Sequence, residues 1–183
     1  VVLDNLTLHN NAVGGYLNNA TGCTITSCSI YSNTLLGLTL QSSPYNTFQN
    51  NVFTDDGLTM NGSQLPHFIH TMNSNTVNGK PLLYYKNQSN LVLDTSAGQI
   101  LLANCSNISI RNMTLNDTDG GMYSAFSDNI NISNCSFVNA PIQLYYTNNS
   151  TIYSNDIYNH TNGDGINLPH SDNNTISSNT IYN

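Results

Sequence analysis

Leu3-Asp4-Asn5-Leu6-Thr7-Leu8 is the first of eight versions of one six-residue phrase, and the second, Ile25-Thr26-Ser27-Cys28-Ser29-Ile30, follows 22 residues later. Phe48-Gln49-Asn50-Asn51-Val52-Phe53 comes next, and residues 72–77, 110–115, 132–137, 152–157 and 176–181 continue the series. Apolar residues hold the first and sixth positions, and Asn, Cys, Met or Leu holds the fourth. The remaining intervals are 23, 24, 38, 22, 20 and 24 residues. A period of 20–24 residues without helical patterning is that of a solenoid in which each repeat is one coil of the chain.

A second short run follows within the repeat, as in Gly37-Leu38-Thr39-Leu40, Gly57-Leu58-Thr59-Met60, Ile142-Gln143-Leu144-Tyr145 and Gly165-Ile166-Asn167-Leu168. Its alternation turns one set of side chains inward, and the Gly ahead of it marks a bend where a side chain would crowd the next coil. Two or three strands per turn with polar corners describe an all-β parallel β-helix, in which the rest of each coil is the crossover that parallel pairing requires. The long interval makes residues 78–107 an irregular coil or insertion. Residues 77–85 match residues 138–146 in their Pro and their paired Tyr, so Leu82-Leu83-Tyr84-Tyr85 reads as an ordinary second strand, and residues 91–93 and 100–102 then form one extra coil or a protruding hairpin. Eight to nine coils of 19–24 residues follow, and nine at ~4.8 Å each make a single domain over residues 1–183, a rod about 43 Å long. Strands at both termini without capping helices lead us to expect a segment of a longer chain or a self-stacking subunit.

The 183 residues are 7% charged, with three Lys+Arg against ten Asp, and carry a net charge of −7. That balance offers no basic patch to nucleic acid or to an anionic membrane, and no apolar run reaches the ~18–20 residues of a membrane span. Asn occurs 33 times and Ser plus Thr 39 times. Asn suits corners that need positive φ, and in the fourth column Asn51 meets Asn75 and Asn155 meets Asn179, so their amides are expected to bond up the stack as ladders. Cys23, Cys28, Cys105 and Cys135 have no disulfide spacing and read as small core residues. Fourteen Asn-Xaa-Ser/Thr sequons favour a secreted, glycosylated protein, with Asn61, Asn87, Asn116, Asn148 and Asn159 as the candidate sites.

The stretch from Asn75-Thr76-Val77-Asn78-Gly79-Lys80-Pro81 to Ala97-Gly98-Gln99-Ile100-Leu101-Leu102-Ala103-Asn104-Cys105-Ser106 resembles the NosD-type β-helix proteins of the carbohydrate-binding and sugar-hydrolase group. Asn173-Asn174-Thr175-Ile176 and Ser178-Asn179-Thr180-Ile181 resemble the same group. The resemblance covers nearly the whole chain. It implies a right-handed parallel β-helix and a secreted or cell-surface, often archaeal, setting.

Candidate chemistry is confined to a few residues. Asp55 and Asp56 precede Gly57, Asp117 and Asp119 precede Gly120-Gly121, and Asp164 precedes Gly165, all at corners ahead of the second strand. Stacked, they make an acidic stripe of the kind that holds Ca²⁺ or a sugar, although Asp-Gly is also ordinary turn chemistry. Tyr85 and Tyr146, from the pairs Tyr84-Tyr85 and Tyr145-Tyr146, are the expected sugar-stacking platforms, one of each pair facing out. Lys80, Lys86 and Arg111 lie near the irregular coil, where a lyase would need its cations. His67 and His70, three apart, point to opposite faces of an extended strand and do not make a metal pair. The reading is a non-catalytic structural or interaction module without a resident cofactor, calcium excepted, whose partners are copies of itself or other surface proteins. A carbohydrate-binding or polysaccharide-processing module is the alternative.

Overall fold

The computed structural model describes residues 1–160 and 163–183. Each repeat phrase supplies two short strands, and each strand pairs in parallel with its counterpart one coil away. Leu3, Ile25, Phe48 and Met72 lie side by side in strands Val2–Asp4, Thr24–Thr26, Thr47–Gln49 and Thr71–Asn73. The sixth-position residues Leu8, Ile30, Phe53 and Val77 line up in the next wall. Strands Val13–Asn18, Leu36–Gln41 and Leu58–Asn61 make the third. The architecture is a parallel β-solenoid of about eight turns.

The corners explain the Asn content. Among the described residues, Asn10, Ser32, Asp55 and Asn78 hold φ of 50–57° at one corner, and Asn112, Asn134, Ser154 and Ser178 hold φ of 52–56° at another. A left-handed residue at each corner turns the chain sharply, and Asn tolerates that conformation better than other non-glycine residues.

One departure from a straight rod reorganises the molecule. After Val77 the chain reverses through Asn78 (φ 50°) and Gly79 (φ 73°), and Val77 pairs antiparallel with Lys80. Two consecutive positive φ values make the tight turn that Asn-Gly favours in a hairpin. Lys80–Lys86 then begins a second stack, continued in parallel by Gln99–Ala103, Met122–Ala125, Ile142–Tyr145 and Ile166–Asn167. Ser89–Leu93 and Thr114–Asn116 begin its other two walls. Residues 78–107 therefore contain both a tight reversal and an extra coil. The expected columns divide in two: Met72 ends one, while Leu93, Ile110, Ile132, Ile152 and Ile176 form another in a separate sheet. Leu83, not Leu82, aligns with Ile100, Met122 and Ile142. Matching the two prolines is one residue out of register, which exchanges the two faces of the strand, and matching the paired tyrosines is two out, since Tyr84 aligns with Leu101, Tyr123 and Gln143.

Two cores result. Ile100, Leu102, Met122 and Ile142 point into the second stack, while Leu101, Ala103, Tyr123 and Ala125, on the other face of the same wall, join Phe48, Phe53, Leu58 and Met60 in the first. The shared wall is apolar on both faces because both are covered. A 3₁₀ turn at Leu65–Phe68 inserts the fully buried Phe68 between the stacks, its ring 5.6–6.1 Å from Tyr123, Phe126 and Tyr145. No helix among the described residues is long and apolar enough to cross a membrane.

Candidate functional site at the junction of the two stacks

The junction is held by side chains that substitute for a neighbouring strand. Gln99 Oε1 accepts the Leu58 N–H at 3.1 Å and its Nε2 donates to the Leu58 carbonyl at 2.7 Å, closing both free groups of that edge residue. Asp119 Oδ2 accepts two more N–H groups from the first stack, those of Gly37 at 2.7 Å and Gly57 at 3.0 Å. The Tyr84 hydroxyl accepts from His70 N–H and donates to the Phe68 carbonyl, both at 2.9 Å, and Lys86 Nζ donates to the His70 carbonyl at 2.7 Å. Gly37 is the bend the sequence suggests, since a Cβ there would lie 2.7 Å from Asp56 Cβ in the next coil. Gly57 answers to the other stack instead: its Cβ would collide with Thr118 Oγ1.

Beside these contacts lies a cleft of about 410 Å³. The first stack contributes Asn33, Asp55, Thr59 and Asn61, and the second contributes Thr118, Asp119, Tyr123, Gln143, His160 and Asp164. Asp55, Asp119 and Asp164 thus converge from three corners, two of them exposed and Asp119 half-buried. Asp56 sits behind them with no solvent exposure, its Oδ2 accepting from Asn33 Nδ2 at 2.7 Å and Asn33 N–H at 3.3 Å. Asp117 stands apart, outside the lining, accepting from Asn139 Nδ2 at 3.4 Å.

Burial pushes the Asp119 carboxyl up to about 6 against the bonds from Gly37 and Gly57, and the neighbouring Asp56 charge adds to the rise. Asp56 is also raised, by burial first and by Asp55 in smaller part, although Asn33 opposes it. His160 is lowered by burial. Four buried side-chain atoms here find no partner among the described residues: Asp56 Oδ1, Thr118 Oγ1, Tyr123 OH and His160 Nε2. Among the described residues two other such atoms occur, those of His67 and Asn131, so most of the unmet hydrogen-bonding capacity lies at or just behind this cleft.

The remaining expectations distribute differently. Among the described residues no three His, Cys or Asp side chains gather closely enough to hold a metal ion. Tyr146 is no sugar platform: Phe126 stacks on it at 4.6 Å and His170 at 4.7 Å, which occupies both ring faces. Tyr85 packs partly buried against the second core, and neither tyrosine of either pair is exposed. Lys80 reaches Thr114 O at 3.5 Å and Arg111 pairs with Asp94 at 3.4 Å, so with Lys86 on His70 the three cations serve separate places. His67 lies in the 3₁₀ turn rather than a strand, and His70 accepts from Asn46 N–H through Nδ1 at 3.3 Å while Nε2 lies 3.0 Å from the His67 carbonyl.

The ladders stand where the fourth column places them. Asn51 Nδ2 donates to Asn75 Oδ1 at 2.9 Å, and Asn155 Nδ2 to Asn179 Oδ1 at 3.0 Å. Each amide also caps backbone: Asn155 accepts the Cys135 N–H at 2.9 Å and donates to the Ile132 carbonyl at 3.0 Å. The cysteines are free and buried. Of the sequon residues, Asn87 and Asn159 are exposed, whereas Asn61, Asn116 and Asn148 are half-buried. The Thr161 that completes the Asn159 sequon lies outside the described residues.

Sequence reasoning passed over Asn33, Gln99, Thr118, Tyr123 and His160. Their signal was the unbroken apolar run Ile100-Leu101-Leu102-Ala103: a wall that alternates only apolar residues is covered on both faces, so polar residues bracketing it border a junction.

A family model described as right handed beta helix region matches residues 1–97 and 88–183. The chain belongs to that family. No curated protein matches it.

Proposed function

We propose that this right-handed β-helix chain is a non-catalytic interaction module of a secreted or cell-surface protein, and that the ligand it holds is a carbohydrate. The observation that carries this reading is the junction cleft, where the amides of Asn61, Gln143 and Asn167 and the hydroxyls of Thr59 and Tyr123 share one concavity. Side-chain amides offer paired donors and acceptors that match adjacent sugar hydroxyls. Rigid walls with their corners capped by Asn hold those groups in place, which limits the ordering that binding would otherwise require. The non-catalytic part is supported by Asp119: the acid with the raised pKa already accepts two backbone N–H bonds through one oxygen. The extracellular setting is supported by the exposed sequon residues Asn87 and Asn159 and by the NosD-type resemblance, which also favours an archaeal surface protein with other surface proteins, or further copies of this chain, as neighbours.

Glycan-array screening followed by calorimetry, with turnover assayed on neutral and acidic polysaccharides, tests the reading. We expect millimolar or tighter binding that persists in a chelator, and no turnover. Failure to retain any glycan at millimolar concentration overturns the carbohydrate assignment, and product release overturns the non-catalytic one.

A further inference from the structure

Resting on the carbohydrate reading, we infer that the cleft selects an amino sugar, with its protonated amine among Asp55, Asp119 and Asp164 and its hydroxyls on the surrounding amides. Charge is the first ground. Three carboxylates line the cleft and no Lys or Arg does among the described residues, while the three cations of the chain are engaged elsewhere with Thr114, His70 and Asp94. A protein of net charge −7 with three of its ten acids in one concavity draws cations there and repels the acidic sugars.

Unmet hydrogen bonds are the second, independent ground. Tyr123 is 1% exposed and Thr118 2%, yet the hydroxyls of both of these lining residues lack a partner. A carboxylate oxygen only accepts. The unpartnered hydroxyls can also accept, and an ammonium brings three donors on one atom with the charge the acids call for. A neutral sugar meets the amides but leaves the carboxylates without a counter-charge. A basic peptide meets the carboxylates but offers no vicinal hydroxyls to Asn61, Gln143 and Asn167.

Calorimetry with the glucosamine tetramer and the N-acetylglucosamine tetramer separates the claims, since the two share a skeleton and differ in charge. At about pH 6, where the tetramer's amines hold most of their protons, we expect the glucosamine tetramer to bind at least about tenfold tighter, as removing a charged hydrogen bond commonly costs. The exposed pair Asp55→Asn, Asp164→Asn should abolish that preference with the melting temperature unchanged. Tyr123→Phe, which keeps the ring and removes the hydroxyl, should weaken the binding several-fold. Equal or tighter binding of the N-acetylated tetramer overturns the amine assignment and leaves the carbohydrate reading standing. Tetralysine binding more tightly than either tetramer makes the occupant a basic peptide and overturns the inference. No binding by any of the three probes overturns the amine assignment, and the glycan array then decides the carbohydrate reading separately.

Discussion

Asp119 and His70 should oppose each other across one pH window, and a single substitution should expose the one that remains. The Asp119 carboxyl is raised by burial to about 6 in the folded chain, against ~3.9 when unfolded. The folded state therefore holds the extra proton between those values, and stability rises as pH falls from about 6 to about 4. His70 does the reverse. Burial lowers it to about 4, against ~6.5 unfolded, so the unfolded state takes the proton and stability is lost as pH falls from about 6.5 to 4. Each displacement is worth about 3 kcal/mol at ~1.4 per pH unit, with opposite sign. Asp56, raised, sides with Asp119, and His160, lowered, sides with His70. The wild-type melting temperature should therefore vary little between about pH 7 and 4.5. Asp119→Asn keeps an oxygen for the Gly37 and Gly57 N–H groups and removes the titration, so its melting temperature should fall on acidification by roughly 6–12 °C, at about 2–4 °C per kcal/mol for a chain of this size. His70→Asn, which puts at that corner the residue used in the neighbouring coil at Asn46, should rise over the same window. Calorimetric melts of the three proteins across pH give the slopes directly. Parallel curves for wild type and Asp119→Asn would refute the reasoning, because they would mean that Asp119 titrates alike in both states.

Asp56→Asn should raise the melting temperature at neutral pH by several degrees, since it preserves the acceptor for Asn33 and removes a carboxylate charge that burial and Asp55 disfavour; an unchanged or lower melt counts against that burial. Gly57→Ala should destabilise by about 1–3 kcal/mol through its clash with Thr118 Oγ1, and restoration by Thr118→Ala in the double variant would locate the clash at the junction. Asn155→Leu should cost about 1–3 kcal/mol, and adding Asn179→Leu should recover little of it, since the pair leaves Cys135 N–H, the Ile132 and Ile152 carbonyls and Asn155 N–H without their amide partners. Full recovery in that double-mutant cycle would show that the amides act chiefly on each other.

That last contrast marks how far the ladders were legible. Spacing alone brings Asn155 beneath Asn179, because a stack puts equivalent positions one strand spacing apart. It does not reveal that each amide spends most of its bonds on backbone groups of the corner below. The walls were legible for the same reason: Leu3, Ile25, Phe48 and Met72 recur because each must pack on the last. The reversal at Asn78-Gly79 was hidden by abundance. In a chain whose corners are built from Asn, one more Asn reads as another corner, and the second positive φ at Gly79 distinguishes it only after Lys80 is seen to pair back onto Val77.

The cleft was legible in its acids and illegible in its assembly, and the reversal accounts for both. Asp55, Asp119 and Asp164 were found as corner residues by turn chemistry. In one continuous rod Asp55 and Asp119 would stand several coils apart, beyond the reach of a shared small ligand. Folding the second stack back brings Asp119 onto Gly37 and Gly57 and sets Tyr123, Thr118 and His160 around the same space. The coil that ends the first stack would otherwise expose Leu58 backbone and an apolar core. Gln99, Leu101 and Tyr123 cover them, and the polar residues at the border of that cover are the cleft. The groups that close the open end of one solenoid thus also build the concavity, so a substitution that loosens the junction should weaken ligand binding and stability together.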